Sequence, residues 1–277
     1  MAHETGYYTN LTPGPYLIDN RPFWMKKDIY TGAVEFVELS IQAEPIDALL
    51  WFLYSIKKPG FTMAEVGVWR GETLIHYAPM IKQMKGKVYA VDWFRGNKNF
   101  KLNSEDEKLI PDLRHSYKTN DEEINDAISK FRQNLQAVGV EDIVEVLHGD
   151  SVEMSEYIPD NSLDLCFIDA DHTYSGVKRD IEAYLPKVKN GGYICGHDCL
   201  DIRLANTFTK EQLELPYLQL DDSNGCHPGV IQAVYDCLGE GVVTVPCSTI
   251  GIPIWIKQKG QQTTKLNLIE RPRPRTQ

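Results

Sequence analysis

The chain has no CxxC pair, no excess of basic residues and no long apolar run. Each absence excludes something. The six cysteines stand apart at 166, 195, 199, 226, 237 and 247, and without paired spacing neither a structural zinc site nor a disulfide framework is implied. Lys and Arg number 29 against 39 Asp and Glu, a net charge of −10. An acidic chain without a basic stripe is not expected to bind nucleic acid or an anionic membrane surface. The longest apolar stretch, 46–56, is too short to span a bilayer. The opening MAHETGYYTNLTPGPYL has neither a basic n-region nor an apolar h-region. No signal peptide is therefore expected, and the expected location is cytoplasmic.

What is present describes a globular chain. Its 277 residues are 42% hydrophobic and include 5 Trp, 14 Tyr and 9 Phe, apolar surface that a disordered chain lacks. Residues 1–58 read as an N-terminal arm with helices. Positions 1–30 are rich in Pro, Gly, Asn and aromatics, and helical apolar spacing over 32–57 is divided by Pro45 into two helices. The arm and the apolar stretch 46–56 suggest self-association into a homo-oligomer.

From 59 to 260 strands and helices alternate. Short apolar runs predict strands at 63–68, 87–94, 144–150, 163–171 and 191–198. Amphipathic spacing predicts helices at 71–85, 121–139, 173–188 and 229–239, and VVTVPC with IPIWIKQ predicts a terminal hairpin. The polar stretch 95–120 is too long for a plain connection and reads as a lid or insertion. The Pro- and Arg-rich 261–277 reads as a disordered tail. The pattern predicts an α/β fold: a Rossmann-like, doubly wound, seven-stranded sheet, mostly parallel, with a C-terminal antiparallel hairpin.

Ligands of such sheets bind at the carboxyl ends of the strands. The chemistry-bearing residues fall there: Glu65 and Gly67, Asp92, Asp150, Asp169 and Asp171, and His197 and Asp198. The first strand runs into Glu65-Val-Gly67-Val-Trp69-Arg-Gly71, followed by Thr73 and a helix. This is ExGxxxG rather than the dinucleotide GxGxxG, and Trp69 argues against a pyrophosphate pressed onto the turn. The two glycines also suit an ordinary strand–helix turn. Asp92, 21 residues after Gly71, suits a ribose diol, or is simply a solvated acid. Trp93 offers a stacking face for adenine, and Asp150 with Ser151 offers an acceptor for its amino group.

These stations resemble those of class I S-adenosylmethionine-dependent methyltransferases, over about residues 60–240. AEVGVWRG matches the acid-x-Gly motif, Asp92 the ribose acid, and Asp150 and Ser151 the adenine pair. The resemblance implies S-adenosylmethionine bound by Glu65, Gly67, Trp69, Gly71, Thr73, Asp92, Trp93, Asp150, Ser151 and Asp169.

FIDADHTYSGVKRDI and GGYICGHDC bring Asp169, Asp171 and His172 to one strand mouth and His197 and Asp198 to the next. Asp169, His197 and Asp198 are candidate ligands for one divalent ion. Carboxylates suit Mg2+, whereas histidine shifts the preference toward Mn2+, Fe2+ or Zn2+. Such an ion acidifies a hydroxyl, and His172 is placed to take its proton; Asp171 also suits a helix cap. Cys195, His197, Cys199, Cys226 and His227 match no common zinc spacing.

Here the resemblance narrows to metal-dependent small-molecule O-methyltransferases. The nearer type is the macrolide sugar or mycinamicin type, the more distant the catechol and caffeoyl-CoA type. It implies Asp169 as a catalytic ligand, His172 as general base, Mg2+ as the most fitting metal and a hydroxyl-bearing small molecule such as a sugar or polyketide as acceptor. His197 stands where the sugar type has a carboxylate, and Cys199 where the catechol type has Asn. His227, in NGCHPGVIQAV (224–234), and the 95–120 insertion are candidate acceptor contacts. The alternatives are a nicotinamide-dependent oxidoreductase, a binding protein, and a hydroxylase-like relative on the same fold.

Overall fold

Both faces of a parallel sheet are covered by helices, so its strands are apolar through their middles. That is how Leu163–Ile168, buried at all six positions, behaves in the computed structural model. The structure describes residues 16–18, 21–27, 34–38, 45–95, 121–220, 225–239, 241–245, 254–262 and 264. In chain order the strands are β1 (Tyr16–Ile18), β2 (Arg21–Lys27), β3 (Val34–Glu38), β4 (Thr62–Val66), β5 (Lys87–Asp92), β6 (Val144–His148), β7 (Leu163–Ile168), β8 (Val188–Gly196), β9 (Leu218–Gln219), β10 (Gly225–Cys226), β11 (Val243–Val245) and β12 (Ile254–Gln258). The helices are α1 (Pro45–Ile56), α2 (Leu74–Gln83), α3 (Asp121–Val138), α4 (Ser151–Ser155), α5 (Tyr174–Tyr184), α6 (Lys210–Leu213) and α7 (Pro228–Leu238).

Seven strands form the main sheet in the order β11-β12-β8-β7-β4-β5-β6. Strands β4 to β8 are parallel, and β12 runs antiparallel to both β8 and β11. This is the Rossmann-like doubly wound sheet with its C-terminal antiparallel pair. Alternation along the strands divides the core in two. Met63, Leu165 and Phe167 join residues of α1, α2 and α3 on one face, and Ala64, Val66, Cys166 and Ile168 join α5 and α7 on the other. Among the described residues no helix is long and apolar enough to cross a membrane.

The N-terminal region corrects the sequence reading. Helical spacing was expected across 32–44, but β3 occupies Val34–Glu38 and pairs with β2, which pairs with β1, in an antiparallel meander. Val-Glu-Phe-Val-Glu is rich in β-branched and aromatic residues and nearly alternates, which suits a strand better than a helix. Pro45 opens α1 at the first helical position, where its missing N–H costs nothing. The expected lid, apart from Arg95, and most of the tail lie outside the described residues.

β8 is wedged under β12 at Gly196. A Cβ there would strike the Ile168 carbonyl oxygen and lie 2.6 Å from the buried Trp255 ring. Gly196→Ala is expected to destabilise the fold by about 2 kcal/mol or more through overpacking, read as a lower midpoint in urea unfolding.

Candidate active site

The backbone ladder continues one step past the strand ends. The Gly67 amide donates to Val91 O at 2.9 Å, Asp169 to Val66 O at 2.8 Å, and His197 to Ile168 O at 3.2 Å. The chain therefore leaves β4, β7 and β8 in fixed register, with Gly67, Asp169 and His197 side by side. Gly67 has φ +90°, and the Asp169 carbonyl oxygen occupies the space a Cβ would need. Gly71 has φ +78°, and a Cβ would lie 2.7 Å from the Phe131 ring. Both glycines are required by packing.

Asp92 ties two turns together. One oxygen accepts the Trp69 amide at 2.7 Å and the other the Phe94 amide at 2.6 Å. Trp69 and Phe94 hold left-handed backbone angles, φ 44° and 56°, unusual for bulky residues. Burial nevertheless pushes the Asp92 pKa up, against these amides. A carboxylate has lone pairs for further donors, so Asp92 can still accept a ribose hydroxyl. Gly71 donates to Val68 O at 2.6 Å. The amides of Gly67, Trp69 and Gly71 are thus all used within the protein, and this turn offers none of them to a phosphate. Thr73 stands at the N-cap of α2, where its side chain makes no capping bond.

Glu65 is buried at the end of β4, and the Tyr77 hydroxyl of α2 donates to it at 2.5 Å. Burial raises its pKa to about 8, Tyr77 opposes, and the charges of Asp169 and Asp92 add to the rise. Glu65 is therefore a neutral acid at pH 7.

Asp150 and Ser151, the pair expected to meet adenine, have structural partners. Asp150 caps α4 by accepting the Val152 amide at 3.0 Å, and Arg179 Nη1 lies 3.4 Å from it. The Ser151 hydroxyl donates to Asp180 at 2.5 Å, a carboxyl that burial raises to about 7. His148 Nε2 lies 3.2 Å from the Trp93 carbonyl oxygen. Trp69, Asp92, Trp93, Asp150 and Ser151 follow or end β4, β5 and β6.

At the ends of β7 and β8 the structure brings Asp169, His172, His197 and Asp198 together. His197 Nδ1 lies 3.1 Å from Asp198 Oδ1 and 4.0 Å from Asp169 Oδ1. These three ligand atoms lie within 4.8 Å of one another. His172 Nε2 hydrogen-bonds Asp198 Oδ2 and lies 3.6 Å from Asp169 Oδ1. Burial would lower the His172 pKa, but Asp198 and Asp169 outweigh it and hold it at about 9. Burial raises Asp169, with His197 opposing. For Asp198 the positive fields of His197 and His172 outweigh burial, and its pKa lies well below the ordinary range.

Asp171 does not cap α5. Thr173 does, accepting the Gly176 amide, while Asp171 accepts the Thr173 amide at 2.9 Å. Sequence reasoning placed His227 only as an acceptor contact. Its Nε2 lies 3.6 Å from Asp198 Oδ1 and its ring centroid 4.7 Å from that of His172. The signal was its place just before Pro-Gly at a helix start.

Residues 64–199 match the family model described as a methyltransferase domain. No curated protein matches the chain. Among solved structures the chain is similar to the O-methyltransferase NovP, at 18% identity over 78% of each chain with a TM-score of 0.49. It is similar to the O-methyltransferase from Bacillus cereus in complex with SAH, at 17% identity over 75% and 77% of the chains with a TM-score of 0.45. It is likewise similar to the SAH-bound Podospora anserina methyltransferase PaMTH1, at 16% identity over 76% and 77% with a TM-score of 0.45. At these values the likeness says nothing about chemistry.

The Glu65 pKa of about 8 has a stability signature. Between pH 4.5 and about 8 the unfolded chain ionises Glu65 while the folded chain keeps its proton. The group therefore makes stability fall as pH rises through that window, by up to about 1.4 kcal/mol per pH unit. Glu65→Gln keeps an acceptor for Tyr77 and is expected to flatten that slope, measured as urea midpoints against pH.

Proposed function

We propose that this chain is an S-adenosylmethionine-dependent methyltransferase acting on a hydroxyl of a small molecule, with divalent-metal assistance. The observation that carries the reading is a pairing along one edge of the sheet. A turn whose amides at 67, 69 and 71 are spent internally adjoins a carboxylate–imidazole cluster. That turn suits a nucleoside cofactor without a pyrophosphate, and it disfavours the nicotinamide alternative, whose phosphates need free amides. The match of residues 64–199 to a methyltransferase domain supports the same cofactor.

Asp92 would accept the ribose hydroxyls, Trp93 would cover the adenine, and Asp150 with Ser151 would border it. Glu65, neutral beneath Gly67, would shape the methionine end without adding charge. Asp169, His197 and Asp198 fit a divalent ion. Their ligand atoms lie within 4.8 Å of one another, and two carboxylates with one imidazole are donors a divalent ion takes. Such an ion supplies acidification and orientation of the acceptor hydroxyl. His172, facing both carboxylates, would take the hydroxyl proton after giving its own away. The sugar or polyketide class of acceptor and the macrolide-type branch are what the resemblance carried by Asp169-x-x-His172 and His197-Asp198 implies, with His197 standing where that type has a carboxylate.

Calorimetry with S-adenosylhomocysteine tests the cofactor assignment, and wild-type protein is expected to bind it. Asp92→Ala is expected to weaken binding about tenfold or more through the lost ribose bonds. His172→Gln should leave that affinity unchanged and slow label transfer from S-adenosylmethionine to small polyols and phenols by about 100-fold or more. Failure of the wild type to bind S-adenosylhomocysteine sinks the proposal.

A further inference from the structure

Besides the Asp169–His197–Asp198 set, a second group of donors converges on Asp198. His172 Nε2 meets Asp198 Oδ2, His227 Nε2 lies 3.6 Å from Asp198 Oδ1, and the three ligand atoms lie within 4.8 Å of one another. The other nitrogen of His227 fixes its tautomer. Nδ1 lies 2.5 Å from the Pro216 carbonyl oxygen, and since a carbonyl only accepts, Nδ1 carries the proton. The ring's other nitrogen, Nε2, faces the Asp198 carboxylate. A histidine that donates one N–H to a backbone carbonyl and turns the other nitrogen inward is arranged as metal-ligating histidines are.

The backbone maintains this arrangement. His227 immediately precedes α7, and a Cβ on Gly229 would meet the His172 carbonyl oxygen at 2.5 Å and collide with the Tyr174 amide. The start of α7 thus rests on the turn that carries His172, and the two imidazoles are held as a pair.

We propose that His172, Asp198 and His227 form a site for a borderline divalent transition ion such as Zn2+ or Co2+. Two imidazoles and one carboxylate suit those ions, whereas Mg2+ prefers an all-oxygen shell. The site shares Asp198 with the divalent-ion set above, and binding there does not depend on methyl transfer. Its consequence does rest on the proposed function: an ion on His172 Nε2 displaces to solvent the proton held toward Asp198, then occupies the lone pair needed for the hydroxyl proton and so inhibits the reaction.

The test titrates full-length, chelator-stripped protein with ZnCl2, CoCl2 and MgCl2 by calorimetry, with the Co2+ absorption spectrum as a second readout. Zn2+ and Co2+ are expected to bind, with Mg2+ weaker by more than about tenfold. His227→Ala and the bulkier His227→Gln are each expected to weaken Zn2+ and Co2+ by about tenfold or more, while His197→Ala weakens them less. Thermal unfolding and S-adenosylhomocysteine affinity check that the variants fold, and His227→Gln carries the test if His227→Ala does not. Unchanged Zn2+ affinity in the folded His227 variants overturns the site, as does an equal or larger loss in His197→Ala. Wild type that binds S-adenosylhomocysteine but not Zn2+ overturns this inference alone. Wild type that binds Zn2+ through His227 but not S-adenosylhomocysteine supports this inference and overturns the methyltransferase reading.

Discussion

An ionised carboxylate cannot leave water without partners that replace its hydration. Asp198 is buried at the end of β8 and held ionised, so the surrounding structure must supply those partners. They come from two places in the chain: His172 from the turn after β7 and His197 from the end of β8. A charge that needs both fixes the relative position of the two strand ends. The cluster is as much a structural joint as a site.

The same electrostatics organise the neighbouring strands. Glu65, Asp92 and Asp169 stand at the ends of β4, β5 and β7, and Glu65 feels the charges of both others. Burial settles the conflict by leaving Glu65 protonated, with Tyr77 as its partner. The edge is then less negative than its composition implies. Asp92 binds the two turns beside it through their amides, so a ligand reaching Asp92 meets an acceptor already held in place. The net charge of −10 says little about this edge, where one acid is neutral and another is surrounded by imidazoles.

The parallel sheet was legible because buried strands read as unbroken apolar runs. MAEV, KVYAVD and LDLCFI differ plainly from the polar segments between them, and the acids that end them mark the ligand edge. Asp169, His197 and Asp198 were legible for the same reason: adjacent strands place their ends together. The meander of β1 to β3 was not legible, because Pro, Gly and scattered aromatics mask a two-residue period. Asp150 and Ser151 read as ligand contacts, yet capping of α4 and the buried Asp180 already engage them. A cap and a ligand acceptor look alike in sequence. His227 lies 55 positions beyond His172, and only the docking of α7 on the His172 turn joins them.

Backbone strain gathers at this edge. Of six non-glycine residues with positive φ among those described, Trp69, Phe94 and Asp198 follow β4, β5 and β8. Each such residue costs about 1–3 kcal/mol. Trp69 and Phe94 each donate an amide to the Asp92 carboxylate, and a hydrogen bond to a charged group returns about 1.5–3 kcal/mol. The two terms nearly cancel, so the turns persist without a large net cost. Asp198, at φ 69°, recovers its strain from its imidazole neighbours. Removing Asp92 or the imidazoles therefore does more than delete a contact, because it leaves strained backbone with nothing to hold it. The carboxylates at the strand ends thus hold this edge in one shape.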